Sequence, residues 1–213
     1  MKRIIYLLAF VAISLQATAQ ETAKQIFSVQ NLPAVLSVHK NVAIVPFRVT
    51  IGYKKLPKGF DLEGNRLEEQ KSGFNLQQGM YTYLLRKSTD YFVSFQDVER
   101  TNALLRKAGV IDKIDETLPD ELCKILGVDA VIKCSYAYEK TGSEAGSIAV
   151  AVLFGVAGKT GSGNLTMQIN NGTDGTLLWR FYKEMNETAF SSGNELMERM
   201  MRKVSRNFPY MKQ

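Results

Sequence analysis

The spacing of apolar residues changes once, between Leu118 and Tyr138, and that change sets the class of the domain. Leu118, Leu122, Ile125 and Leu126 recur at helical intervals. Pro119 suits a first helical turn, Asp120 and Glu121 complement its positive end, and Gly127 stands where a helix stops. The period then becomes two. Val128, Ala130, Ile132, Cys134, Tyr136 and Tyr138 share one face, while Asp129, Lys133, Ser135 and Glu139 dominate the other. A helix feeding a strand through so short a turn is an α/β or α+β unit.

The same reading places elements on either side. Residues 20–40 form a leader with little structure of its own, holding a short strand or helical turn near Ile26 to Leu36. Asn41 to Ile51 is a strand, apolar on both faces at Val42 to Val45, with an edge or bulge at Pro46 because proline cannot donate to a ladder. Residues 52–71, with three glycines, a proline and many charges, read as a solvated loop, Asp61, Glu63, Glu68 and Glu69 included. A helix over 72–88 buries Leu76, Met80, Tyr83 and Leu84; a short strand over 91–95 follows, and then a helix capped by Asp97 and stopped by Gly109. Leu165, Met167 and Ile169 alternate with Thr166, Gln168 and Asn170 in a half-exposed strand. The turn 171–175 joins it to a partner strand in which Leu177, Trp179 and Phe181 share a face. The last helix opens with a capping box, Ser192 with Glu195, and buries Leu196, Met197, Met200, Met201 and Val204 as a plain core face. The order is β-α-β-α-α-β-(apolar insert)-β-β-α, a single mixed sheet with helices packed on it.

One segment breaks the pattern. From Ile148 to Ala157 no residue is charged or strongly polar. Three readings stand: a buried or capping segment, an exposed apolar patch that touches a membrane or partner, or a strand of an oligomeric pore. Against the last, a barrel strand alternates apolar with polar positions, and this one does not. A short helix fits better than a strand. The residues that would make the contact are Ile148, Val150, Val152, Leu153, Phe154 and Val156, within an insert spanning 143–162.

Composition narrows the setting. Lys2 and Arg3, an apolar run from Ile4 to Leu15, and Ala17-Thr18-Ala19 make a secretory signal peptide over 1–19. The run is too short for a membrane span, which needs about 20 apolar residues. No cysteine follows it, so a lipoprotein is not expected. Basic residues number 27 against 21 acidic; losing Lys2 and Arg3 leaves 25 against 21, a mild net +4 with interspersed signs. That excludes nucleic acid as an expected partner. Cys123 and Cys134 could bridge in an oxidising compartment, although two buried thiols are the preferred reading. With two cysteines and His39 alone, neither a zinc site nor a nucleophile–histidine arrangement can be assembled, and His39 reads as a surface residue. Gly158-Lys159-Thr160 lacks the preceding glycine of a phosphate loop, since Leu153 stands there. No cofactor and no metal are expected.

Three phrases carry a resemblance: Val42-Ala-Ile-Val-Pro-Phe47, Leu126-Gly-Val-Asp-Ala-Val-Ile132 and Asp174-Gly-Thr-Leu-Leu-Trp179. Together they resemble the fold shared by the amino-terminal domain of TolB, LpoB and CsgG, over roughly residues 41 to 208. The chain is also similar to secreted proteins of Gram-negative bacteria that end in Ser-Arg-Asn-Phe-Pro-Tyr, here Ser205 to Tyr210. The resemblance implies non-enzymatic work in the periplasm: binding an envelope protein or a peptidoglycan-associated enzyme, with contact to the outer membrane through the insert. The surface expected for this is the 52–71 loop together with the insert. The alternative it implies is a membrane-associated homo-oligomer tied to secretion or pore formation, and an enzyme comes third. Two departures stand out: the acylated cysteine of the lipoprotein members is missing, and the insert lacks the polar alternation of the hairpins that CsgG passes through the membrane.

Overall fold

A computed structural model of the chain describes residues 24–140, 159–188 and 193–212. The expected signal peptide, the expected contact residues Ile148, Val150, Val152, Leu153, Phe154 and Val156, and Ser192 of the expected capping box lie outside them. Among the described residues, seven strands form one mixed sheet: β1 (Gln25–Ser28), β2 (Asn41–Ile44), β3 (Arg48–Tyr53), β4 (Ser94–Phe95), β5 (Ala130–Lys140), β6 (Lys159–Asn171) and β7 (Leu177–Thr188). The order is β1-β7-β6-β5-β2-β4, with β3 also on β5. The helices are α1 (Leu32–Leu36), α2 (Leu62–Arg86), α3 (Val98–Lys107), α4 (Pro119–Leu126) and α5 (Gly193–Ser205). The α/β class with a single mixed sheet is the one expected.

The helix–turn–strand unit forms where the spacing predicts it, except that Val128, still in the turn, packs with Leu122 and Leu126 and not with the even-numbered face of the strand. Gly127 ends α4 in the left-handed region at φ 65°, which only glycine enters without cost. Even-numbered β5 side chains from Ala130 to Tyr136 enter one core with Leu165, Met167, Ile169 and Phe181; α2 and α5 cover it through Leu76, Met80, Met197, Met200 and Met201. Val131 points the other way, into a smaller core with Ala43, Val45, Leu105, Leu122, Cys123 and Leu126 under α3 and α4. Leu118 caps the helix and stays exposed, and Cys123 takes the inward place assigned to it.

The expected strand from Asn41 to Ile51 is interrupted at Pro46. Ile44 faces Ile132 and Arg48 faces Ser135, so four steps along one strand match three along the other. This is a bulge, and it leaves β3 as an edge strand. The carbonyl of Ile44, at the break, accepts from the buried Gln77 Nε2 at 2.8 Å.

The second half of the expected loop over 52–71, from Leu62 on, is instead helix. Asp61 caps α2, its carboxylate accepting from Glu63 N at 3.1 Å. The inward face of the first half of α2 is polar or bare, which hides it from an apolar-spacing reading. Asn65 Nδ2 donates to Ile51 O at 3.3 Å, and Glu69 Oε1 accepts from Ile51 N at 2.7 Å. Thus α2 satisfies the edge of β3 with side chains. One turn later Gly73 brings the helix backbone against the bulge: Phe47 N donates to Gly73 O at 3.3 Å.

Two further boundaries move. Lys159 to Ser162, assigned to the insert, begin β6. The leader is not idle either: β1 pairs antiparallel with β7, Gln25 opposite Tyr182 and Ser28 opposite Trp179.

Candidate functional site

The two expected cysteine roles resolve by sheet geometry. Cys123 sits in the smaller core and Cys134 in the larger, on opposite faces of the sheet, and both are free thiols. Burial, helped by Asp120 and Asp129, pushes the Cys123 thiol up to about 12; burial pushes Cys134 higher still. Neither supplies a thiolate at neutral pH.

His39 is buried, not at the surface, at 4% exposure. Its Nδ1 lies 2.9 Å from the Tyr210 hydroxyl and its Nε2 lies 3.3 Å from Asn171 Oδ1. Asn171 Nδ2 donates to Asp174 Oδ1 at 3.0 Å, which leaves Asn171 Oδ1 as acceptor. The ring therefore carries its proton on Nε2 and accepts from Tyr210 on Nδ1. Nδ1 thus ties the ring to the 208–211 segment and Nε2 ties it to the end of β6, so both nitrogens are engaged beside the start of β2. Burial lowers the His39 pKa below 6.5, and the Asn171 hydrogen bond and the Asp129 charge only partly offset it.

A pH dependence follows. As pH falls through 6.5 the unfolded chain takes up a proton at His39 that the folded chain does not, so stability is full above that pH and declines below it. Urea unfolding between pH 7.5 and 5.5 should show this slope in the native chain and a flatter profile in His39→Gln. Equal slopes would mean that His39 does not drive it.

Beside this latch lies an apolar cleft of about 710 Å³. Ile26 and Ser28 of β1 form one wall, Leu32 and Leu36 of α1 the second, and Phe92, Pro209 and Met211 the third, with Trp179 at the base. Trp179 is 2% exposed and meets Phe208 edge-on at 6.1 Å; Phe92 meets Tyr210 at 5.7 Å. Ile26 and Phe92 remain 42% exposed at the mouth, beside Phe27 at 50%. Large apolar side chains left in water around a concave apolar surface are the mark of a binding site.

A second groove, of about 590 Å³, runs between β3, α2 and residues 111–116. Its walls mix Arg48, Glu63, Arg66, Asp112 and Asp115. Arg48 pairs with Asp115 at 3.4 Å with both side chains at least half exposed, and Gln70 Nε2 donates to Asp112 Oδ1 at 2.8 Å. Such exposed, mutually paired charges solvate a surface and hold little binding energy. Of the expected surface, then, Asp61 and Glu69 serve the fold, and the insert residues lie outside the described structure.

Sequence reasoning passed over the cleft. Its walls come mainly from a four-residue strand, a five-residue helix and the run from Asn207 to Lys212, each too short to show a period. The aromatic residues of that last run, placed after the final helix, were the signal available.

No family model matches the chain, and no curated protein matches it. Among solved structures it is similar to lipoprotein GNA1162 from Neisseria meningitidis, at 13% identity and TM-score 0.44, covering 78% of this chain and 96% of that one. It is similar to the PelC dodecamer from Paraburkholderia phytofirmans at 12% and 0.45, covering 90% and 99%. The LpoB C-terminal domain from Salmonella enterica, one of the proteins whose fold the sequence resembles, matches at 8% and 0.34, covering 73% and 93%. At these identities and TM-scores the likenesses say nothing of function.

Proposed function

We propose that the protein is a non-catalytic, exported protein of the cell envelope that works by binding a protein partner in the cleft between β1, α1 and the 207–212 segment. The observation that carries this reading is the apolar cleft with Ile26 and Phe92 exposed at its mouth. The signal-peptide pattern over 1–19 supports export. The non-catalytic character is supported by thiols held protonated and by a histidine whose ring nitrogens both serve structure. Buried aromatic and aliphatic anchors at the centre of such a site supply most of its binding energy.

The test is site-resolved cross-linking in the native host. A photoreactive phenylalanine analogue at Ile26 or Phe92 should give one discrete protein adduct in the envelope fraction. The same analogue at Glu99, on α3 across the sheet, should not. Ile26→Glu should weaken the association at least about tenfold, the equivalent of 1.4 kcal/mol. Adducts as strong at Glu99 as in the cleft would overturn the reading.

A further inference from the structure

Resting on that reading, we propose that the cleft takes an extended acidic segment of the partner, added as a new strand to the outer edge of β1. β1 is the last strand of the sheet order, and no described strand lies beyond it. Val29 N donates to Leu178 O at 3.1 Å, which fixes the phase of the antiparallel ladder. Gln25 and Phe27 share that phase and bond toward β7. Ile26 and Ser28 therefore aim their N–H and C=O groups outward. The side chains of these same two residues line the cleft. An added strand would satisfy the outward backbone groups and, at every second position, lay a side chain over the apolar walls.

Charge selects the kind of segment. No Asp or Glu is among the residues that line the cleft. Lys212 lines the cleft, and Lys24 Nζ reaches Asn207 Oδ1 at 3.4 Å. The nearest acid along the third wall is Asp90, in the turn before Phe92. An acyl chain with an anionic head would also suit an apolar cationic cleft, but it cannot use the outward hydrogen-bonding groups of β1, so the strand is the better occupant.

The experiment uses the mature chain from residue 20 and a displayed library of random nonapeptides. Selected peptides should alternate apolar residues and carry net negative charge. On binding they should slow hydrogen exchange at the Ile26 and Ser28 amides. Ser28→Pro removes an outward N–H, spares the ladder to β7 and leaves Ile26 in place; it should weaken the selected peptides at least tenfold with an unchanged urea midpoint. Lys212→Glu should weaken them similarly. Absence of enrichment, peptides without alternation, or full binding to Ser28→Pro would overturn strand addition, as would competition by oleate that Ser28→Pro leaves intact. If Ile26→Glu abolishes the partner adduct while Ser28→Pro keeps it, the cleft remains the partner site and only the strand geometry falls.

Discussion

Phe208→Ala should cost about 3–5 kcal/mol, the range for removing a large aromatic side chain from a packed core. Phe208 is 3% exposed and touches four other rings: Tyr91 at 5.8 Å, Phe95 at 6.4 Å, Trp179 at 6.1 Å and Tyr210 at 5.8 Å. Three of these contacts are edge-on, the geometry in which an aromatic pair contributes beyond its buried area. The rings come from the residue after the 3₁₀ turn Ser88–Asp90, from β4, from β7 and from the segment after α5, so little can collapse into the space left behind. Against a total stability of about 5–15 kcal/mol this loss is large. Thermal unfolding should shift down by roughly 10 °C. Because Phe208 packs on Trp179 of the cleft, the proposed partner binding should fall in the fraction that stays folded. A loss below about 1 kcal/mol would show that the segment after α5 is a tail and not a wall.

Gly73→Ala should also destabilise, by about 2 kcal/mol, although alanine is the better helix former. Propensity alone would favour the variant by about 1 kcal/mol in a helix interior. Opposing it, a Cβ at Gly73 would stand 2.3 Å from Phe47 O, a backbone atom that cannot rotate away. Overpacking of this kind costs about 1–3 kcal/mol, or more where the backbone must move. The shift would pull α2 from the bulge and lengthen the Phe47 N to Gly73 O hydrogen bond. The loss should appear as a lower urea midpoint with unchanged slope. Lys71→Ala, at an exposed position of the same helix, should stay within about 0.5 kcal/mol. A stabilised Gly73→Ala would show that the close approach does not exist.

What the sequence disclosed, and what it hid, has one physical cause. Elements that bury an apolar stripe announced themselves: α4 and β5, the β6–β7 pair, and the Met-rich face of α5. The Pro46 bulge was legible because proline's missing donor is a local property. The first half of α2 was not, because its inward positions are Asn65, Glu69 and Gly73, chosen to satisfy a strand edge and to admit a close backbone. His39 was misplaced because the partners that bury it, Tyr210 and Asn171, stand 171 and 132 positions away. Cys123 and Cys134 are the two buried thiols preferred from the sequence, and the parity of β5 adds the reason, sending Cys134 to the face opposite Val131 and Cys123.

Lys24 meets Asn207 across 183 positions of chain, and this separation bears on the order in which the molecule folds. Closing so long a loop carries an entropic cost that grows with its length, and distant pairings form late. The β6–β7 hairpin and the α4–β5 unit join near neighbours and can form first. The docking of the 207–212 segment against β1 and α1 waits for nearly the whole chain. A chain that emerges from its amino to its carboxyl end would therefore acquire its cleft as one of its last folding events, so that an intact cleft also reports that folding has finished.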